Sequence, residues 1–496
     1  NPMHQNKIKH INSLNEETKS QTLILPIIKN KDFSVDLLDM NANRLLIDTM
    51  LNEDISTNGE ITVLHTPKSL FPNFNYLRIF CIGLGLIEES NLSSVRKSGG
   101  SLGRYFLNSK IEEANIFIDS LNLFDNEELI ESFIEGFFLG NYSFDKYKNK
   151  KSKSDNFFEI TSTDSKLAIK NITTKSYEKS EAEKNARNLV NEPANYLTPS
   201  KLADISSTIS NKKLKCNILD KNECKKLGMN AFLGVSQGSI EEPKLIHLSY
   251  KPLPNENSFW YIGKAITFDS GGLSLKPSGS MFSMKGDMGG SAAVISAINA
   301  IANLGLMVNI DVLCLATENM PSGSAQRPSD VVEAMDGTYI EVENTDAEGR
   351  LTLADAITYA KTFDPKFIID VATLTGAASI GLGKGNISAF SNNEKFMKNV
   401  KNAGEKSGDH VWQLPLDSVS KKQNNSTIAD IKNTGGRLAG SITAAHFINH
   451  FVGEIPWVHL DIAANSMTSS NDGWHNKGAT GIPTRLLIEL AYIFEK

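Results

Sequence analysis

The stretch EVENTDAEGRL, residues 341–351, sets Asp346, Glu348 and Arg350 on alternate positions, with Gly349 between the last two. Two acids and a base at that spacing can hold a metal, move a proton, or simply neutralise one another. In extended backbone the two-residue period throws all three side chains to one side. In a helix, Asp346 and Arg350 would meet four residues apart as an ordinary ion pair. Taken alone, the stretch leaves both readings open.

A second polar cluster lies in GKAITFDSGGLSLKPSGSMFSMKGDMGGSAA, residues 263–293. Lys264 and Asp269 close an apolar strand pattern, Lys276 follows a Gly271-Gly272 turn, and Asp287 precedes a helix start of small residues. Both clusters fall in strand-to-helix loops, where an open α/β sheet gathers its active site. The carboxylates Asp269, Asp287, Asp346 and Glu348, placed in one cleft, would repel unless protonated or balanced by cations. Two divalent ions offset that charge, and an oxygen-rich pair about 3.5 to 4 Å apart is the usual hydrolytic arrangement for Mg, Mn or Zn. Lys276 and Arg350 are then left to handle anionic species. Scattered surface salt bridges are the plainer alternative, and they leave the flanking glycine turns unexplained.

The elements that must carry these loops alternate along the chain. In the first part the strand patterns TLILPIIK, ITVLH, LRIFCIGLGL, ANIFIDSL and FFEITST are separated by helix patterns over 35–51, 91–108 and 127–139, the order of a layered α/β domain. GLG at 83–85 lacks the third glycine of a dinucleotide site and is expected as a tight turn. The charge run DKYKNKKSKSD, 145–155, is expected as a solvated loop. Residues 176–193, ending at Pro193, have the composition of a connecting helix. The expected organisation is therefore an N-terminal α/β domain over 3–175, this helix, and a larger domain over 194–496. In that larger part KLIHLSY, SFWYIGKAITF, MVNIDVLCLAT and KFIIDVATL are nearly continuous apolar runs, with helix patterns over 289–304 and 351–362. Such runs imply a mostly parallel sheet with helices on both faces.

Bulk properties narrow the partners. A chain of 496 residues with 40% hydrophobic and 22% charged content is that of a globular protein of two or three domains. A formal net charge of -6 and a pI near 5.9 argue against a nucleic-acid backbone as the main partner. The four cysteines, Cys81, Cys216, Cys224 and Cys314, form no CxxC pair, which suits a reducing, cytoplasmic compartment. The start NPMHQNKIKH has no apolar signal-peptide core, no run reaches about 18 apolar residues, and Met3 is the expected native start. His446 and His450 in HFINH lack the glutamate of a zinc-protease helix and are expected on a helix surface. No phosphate loop and no cysteine in a nucleophile's context is present.

With these residues in view, NTDAEGRL (344–351) and GKAITFDSGG (263–272) resemble the signature of the leucyl aminopeptidases, the M17 metallopeptidase family. NLVNEPANYLTP (188–199), MPSGSAQRPSDVV (320–332), VATLTGA (371–377), NTGGRLAGSITAAHF (433–447) and WVHLDIA (457–463) are similar to further family blocks in the family's order. The resemblance covers about residues 180–490, and before that it extends only to layout.

The resemblance implies that Asp269, Asp346 and Glu348 hold one metal and that Lys264, Asp269, Asp287 and Glu348 hold the second. The ions implied are zinc or manganese, with magnesium or cobalt as further options. It also implies hydrolysis of the N-terminal residue from short peptides with a free N-terminus. A water between the ions would attack, Lys276 would stabilise the oxyanion, and Arg350 would hold a bicarbonate-like anion as general base. Met284, Thr373 and Gly376 match positions lining the pocket for a Leu- or Met-like first side chain. A homohexamer is implied as well. Ala265 and Ala464 stand where the family commonly has glycine, and the second is expected to narrow the substrate pocket. Gly349 is expected to let the backbone turn tightly into the following helix. A catalytically silent scaffold binding partners through the lysine-rich 145–153 loop, and a two-metal phosphatase using the same carboxylates, are the competing readings.

Overall fold

Alternation of side chains along a strand buried on both faces must supply two cores, and the strands of this protein do so twice. The computed structural model describes residues 10–11, 14, 20–31, 33–150, 157–162, 169–209 and 212–496. The chain divides into two units, Asn1–Glu181 with Ser469–Lys477, and Ala182–Thr468 with Gly478–Lys496.

In the first unit β1 (His10–Ile11), β2 (Thr22–Lys29), β3 (Ile61–His65), β4 (Arg78–Leu86), β5 (Glu113–Phe117) and β6 (Phe157–Thr161) pair in the order β1-β6-β5-β2-β4-β3. All pairs are parallel except β3 with β4. Ile24 and Ile28 of β2 face a core with Phe106 and Phe137 from the helices Leu92–Leu107 and Glu127–Gly140. Leu23, Leu25 and Ile27 face the opposite core with Ala42 and Leu46 of the helix Met40–Asn52. That helix starts later than its expected 35–51 span, because Leu38 adopts φ 58° and Asp39 caps it by accepting from Ala42 N. The 83–85 glycines are not a turn. They lie within β4, where a Cβ on Gly83 would stand 2.0 Å from Thr57 O. Of the lysine-rich run, residues 145–150 carry no helix or strand and 151–155 lie outside the described residues.

The helix Ile169–Asn191 begins earlier than its expected 176–193 span and ends ahead of Pro193, and the division between units falls within it. In the second unit the strands are β7 (Leu214–Leu219), β8 (Lys244–Tyr250), β9 (Phe259–Gly263), β10 (Ala265–Asp269), β11 (Ile310–Asn319), β14 (Phe367–Ala372), β15 (Ile387–Ser391), β16 (Val411–Gln413) and β18 (Trp457–Asp461). They form one sheet in the order β16-β15-β18-β14-β9-β11-β8-β7, with β10 also on β11. The central pairs β18-β14, β14-β9 and β9-β11 are parallel, and β15-β18, β11-β8 and β8-β7 are antiparallel. Ile369 and Val371 of β14 pack toward the helices Gly289–Leu304 and Thr484–Phe494, while Ile368 and Ala372 pack toward Gly349–Lys361 and Gly440–Val452. A small sheet of β12 (Val331–Glu333), β13 (Tyr339–Glu341) and β17 (Ile431–Lys432) leads into the 342–348 loop. Among the described residues no helix is long and apolar enough to cross a membrane.

The apolar run at 258–268 is the one the structure interrupts: it is two strands, broken at Lys264. That break sits where parallel strands end and helices begin, the position at which open α/β sheets place ligands.

Candidate functional site

At the break, Lys264 N donates to Val371 O and its carbonyl accepts from Ser291 N, both at 2.9 Å. The backbone is thereby tied between β14 and the first turn of the helix Gly289–Leu304. The Lys264 side chain then passes under Gly349, where a Cβ would lie 2.6 Å from Lys264 Cε. Gly349 is the first helical residue and its φ is not positive, so it serves the close approach and not the tight turn expected of it. EVENTDAEGRL is neither an extended strip nor a helix: β13 ends at Glu341, an irregular loop carries Asp346 and Glu348, and Arg350 lies in the helix that follows.

Two ammonium groups divide the carboxylates. Lys264 Nζ lies 2.9 Å from Asp287 Oδ1 and 2.8 Å from Glu348 Oε1, and donates to Thr373 O at 2.9 Å. Lys276 Nζ lies 3.1 Å from Asp269 Oδ2 and 2.5 Å from Asp346 Oδ1. Lys276 is delivered by the expected turn, with Gly271 and Gly272 at φ 88° and 67° and Lys276 N donating to Ser270 O. One oxygen from each of Asp269, Asp346 and Glu348 falls within 4.8 Å of the others. All five residues expected as ligands thus meet at the carboxyl ends of β10 and β14.

Charge is out of balance there. Burial and the Glu348 charge hold the Asp269 carboxyl up at about 7. Burial raises Asp287 well above the usual carboxylate range in spite of Lys264, and burial with Glu348 raises Asp346. Burial penalises Glu348 too, but Lys264 beside it draws the group below its ordinary value. Both lysines are disfavoured by burial and raised nonetheless, Lys264 chiefly by Asp287 and Lys276 chiefly by Asp269. Two ammoniums are too few for four carboxylates, and protons are drawn in to compensate. The donor set fits divalent cations: hard oxygens dominate, Asp287 Oδ2 is buried without a hydrogen-bond partner, and a dication would supply the drive for a lysine placed as Lys264 is to lose a proton.

Arg350 is buried, and burial pulls its guanidinium down to about 10. Its Nη1 donates to Asn433 O at 2.9 Å, and its Nε is buried without a partner. Arg350, Met284, Thr373 and Gly376 line the same cavity as Lys264, Asp269, Lys276, Asp287 and Asp346, with a volume of about 820 Å³. Thr373 Oγ1 donates to Asp287 Oδ1 at 2.7 Å, and a Cβ on Gly376 would meet only open space. Ala463 lines this cavity and Ala464 does not, so the methyl of Ala464 does not narrow it. Ala265 is fully buried in the apolar core beside the site.

The residues that hold the loops gave no charge or periodicity signal. Asn433 Nδ2 donates to Asn344 O and Ala347 O at 2.7 and 3.2 Å, while its Oδ1 accepts from Glu343 N at 2.8 Å. Asn319 Nδ2 donates to Asp269 Oδ1 and Thr345 O at 2.8 and 3.0 Å. Thr345 Oγ1 donates to Gly271 O at 2.7 Å and accepts from Ser274 N at 2.9 Å, joining the two loops that carry the carboxylates. The histidines of HFINH are elsewhere: His450 is exposed, but His446 is buried, contrary to the surface expected for both, because its helix face turns into the core with Ala445 and Phe447.

Comparison with known proteins gives the following. The model of the cytosol aminopeptidase family, catalytic domain, matches residues 184–488, and that of the family's N-terminal domain matches residues 24–151. The chain is 42% identical to a probable cytosol aminopeptidase of Clostridium tetani over 425 residues, 84% of this chain and 88% of that protein. It is 39% identical to one of Solibacter usitatus over 451 residues, 88% of this chain and 92% of that protein. Among solved structures, the bottromycin maturation enzyme BotP in complex with Mn superposes with a TM-score of 0.84 at 29% identity, covering 96% of this chain and all of that one.

Proposed function

The chain belongs to the cytosol aminopeptidase family and is a metal-dependent aminopeptidase; from that premise we propose that it removes Leu- or Met-like first residues from short peptides at a two-metal centre. The convergence of Asp269, Asp346 and Glu348 oxygens within 4.8 Å, flanked by Lys264 and Lys276, carries the reading. Asp269, Asp346 and Glu348 would hold one ion, and Lys264, Asp269, Asp287 and Glu348 would hold the other, zinc or manganese first and magnesium or cobalt otherwise. When bound, such ions supply a Lewis acid for the scissile carbonyl and a water of lowered pKa.

The protein's own groups do the rest. The carboxylate floor favours a substrate's protonated or coordinating α-amine, which confines cleavage to the N-terminus. Lys276, on its short glycine turn, donates to the oxyanion that develops on the scissile carbonyl, where a preorganised charge in a water-poor site acts strongly. Arg350 remains cationic at neutral pH, and its unpartnered Nε suits a small planar anion of the bicarbonate type, which would serve as general base. Met284, Thr373 and Gly376 shape the space for the first side chain. A homohexamer resident in the cytoplasm belongs to the same reading, as does a chain organised as an N-terminal domain, the linking helix Ile169–Asn191 and a catalytic domain from 194.

The test is hydrolysis of Leu-amide by the purified protein, with and without Mn or Zn, beside N-acetyl-Leu-amide. Metal-dependent cleavage of the free-amine substrate alone is expected. Equal cleavage of both, or none of either by folded protein supplied with metal, contradicts the proposal.

A further inference from the structure

The cavity that holds the carboxylates has a second cation-bearing wall, formed by residues 434–440. Thr434, Gly435, Gly436, Arg437 and Gly440 all line it. Arg437 is exposed, and among the described residues no carboxylate lies at ion-pair distance from it and no hydrogen bond satisfies its guanidinium. The other cations of the cavity are engaged: Lys264 and Lys276 each face two carboxylates, and Arg350 is buried against Asn433 O.

The backbone that carries Arg437 is fastened on both sides. A Cβ on Gly435 would stand 2.5 Å from Thr443 Cγ2, so this glycine is pressed against the helix Gly440–Val452. Gly436 takes φ 84° and Ala439 φ 53°, which turn the chain outward and back between them. The Gln423 side-chain amide, oriented to satisfy both its atoms, donates to Gly435 O at 2.8 Å and to Leu438 O at 3.1 Å, bracketing Arg437. A guanidinium held at the rim with all its donors free is suited to a planar, doubly accepting anion.

We propose that Arg437 is a specificity-determining residue that receives the C-terminal carboxylate of short peptide substrates. The inference rests on the aminopeptidase reading of the same cavity. A di- or tripeptide carries an amine at one end, which the carboxylate floor and its ions receive, and a carboxylate at the other, which meets Arg437. The enzyme is thereby biased toward substrates short enough to present both ends within one cavity.

The experiment compares kcat/KM for Leu-Gly and Leu-Gly-Gly with their C-terminal amides, in wild type, Arg437→Gln and Arg437→Lys. Wild type should prefer the free acids about fivefold, the worth of one exposed charge pair, with the difference in KM and falling as salt rises. Arg437→Gln should bring the acid-to-amide ratio to about one, and Arg437→Lys should restore part of it. A ratio unchanged in Arg437→Gln, or a wild type that favours the amides, overturns the proposal. If wild type cleaves neither acids nor amides, the aminopeptidase reading itself has failed, an outcome separate from either of these.

Discussion

The two lysine-centred clusters of the site are built from the same residue types and differ in how far water reaches them. Around Lys264 the side chains are 3%, 5% and 2% exposed for Lys264, Asp287 and Glu348. Around Lys276 the lysine is 15% and Asp346 31% exposed, while Asp269 beneath them is 3%. The inner cluster is threaded beneath Gly349 and fixed to Thr373 O, so its lysine has one place to be. The outer lysine stands on a glycine turn facing the cavity and can exchange carboxylate partners for a substrate oxygen. Burial thus separates a lysine suited to being a ligand from a lysine suited to acting on substrate.

The largest expected effect comes from opening the inner cluster. Glu348→Gln removes the carboxylate proposed to touch both ions and leaves Lys264 underpaired; kcat/KM for Leu-amide should fall by about a thousandfold or more, as expected when several kcal/mol of transition-state stabilisation is lost. Metal content measured on the same sample should fall with it. Lys276→Ala, in the outer cluster, should keep its metal and lose about a hundredfold to a thousandfold in kcat. Parallel loss of metal in both variants would erase the distinction drawn between the two lysines.

A sealed pair across β14 and β18 calibrates what burial does to charge. His459 Nδ1 and Asp370 Oδ1 are 2.5 Å apart and fully buried. Burial opposes the charged ring, but Asp370 raises the His459 pKa above 6.5. The folded value is therefore the higher one, so the pair's stabilisation is complete below about pH 6.5 and is lost as pH rises through the raised value. Thermal melts should show wild-type stability declining across that window. Asp370→Asn should flatten the decline and lower stability by about 3 kcal/mol, the cost of breaking a buried pair.

Smaller effects fall on residues that position and shape. Asn433→Ala releases the 343–347 backbone and the Arg350 contact, and kcat/KM should drop about tenfold to a hundredfold with metal content nearly kept. Met284→Ala should change the Leu-to-Ala preference at the first residue by about tenfold or less, measured as a ratio of kcat/KM values.

The sheet cores, both strand-to-helix loops and the gathering of Asp269, Asp287, Asp346 and Glu348 in one place were legible in sequence, because apolar runs, glycine turns and unusual carboxylates leave a local signature. What was not legible depends on contacts between distant segments. The break at Lys264 is invisible in an unbroken apolar run, since only the approach of Val371 and Ser291 dictates it. The alternation of Asp346, Glu348 and Arg350 left an extended face and a helical ion pair both open, but Asn433 and Thr345 hold the loop in an irregular path that sends Arg350 to a different neighbour. His446 read as a surface residue because its helix is buried by tertiary packing and not by its own pattern.

The central claim is that the inner and outer clusters together hold two divalent ions. Calorimetric titration of Mn into chelator-treated protein measures this directly, run on wild type and on Asp346→Ala, which lacks a carboxylate proposed for one ion only. Two ions per chain for wild type and one for Asp346→Ala is the result expected. A single ion in wild type, or a stoichiometry that Asp346→Ala does not change, would contradict it.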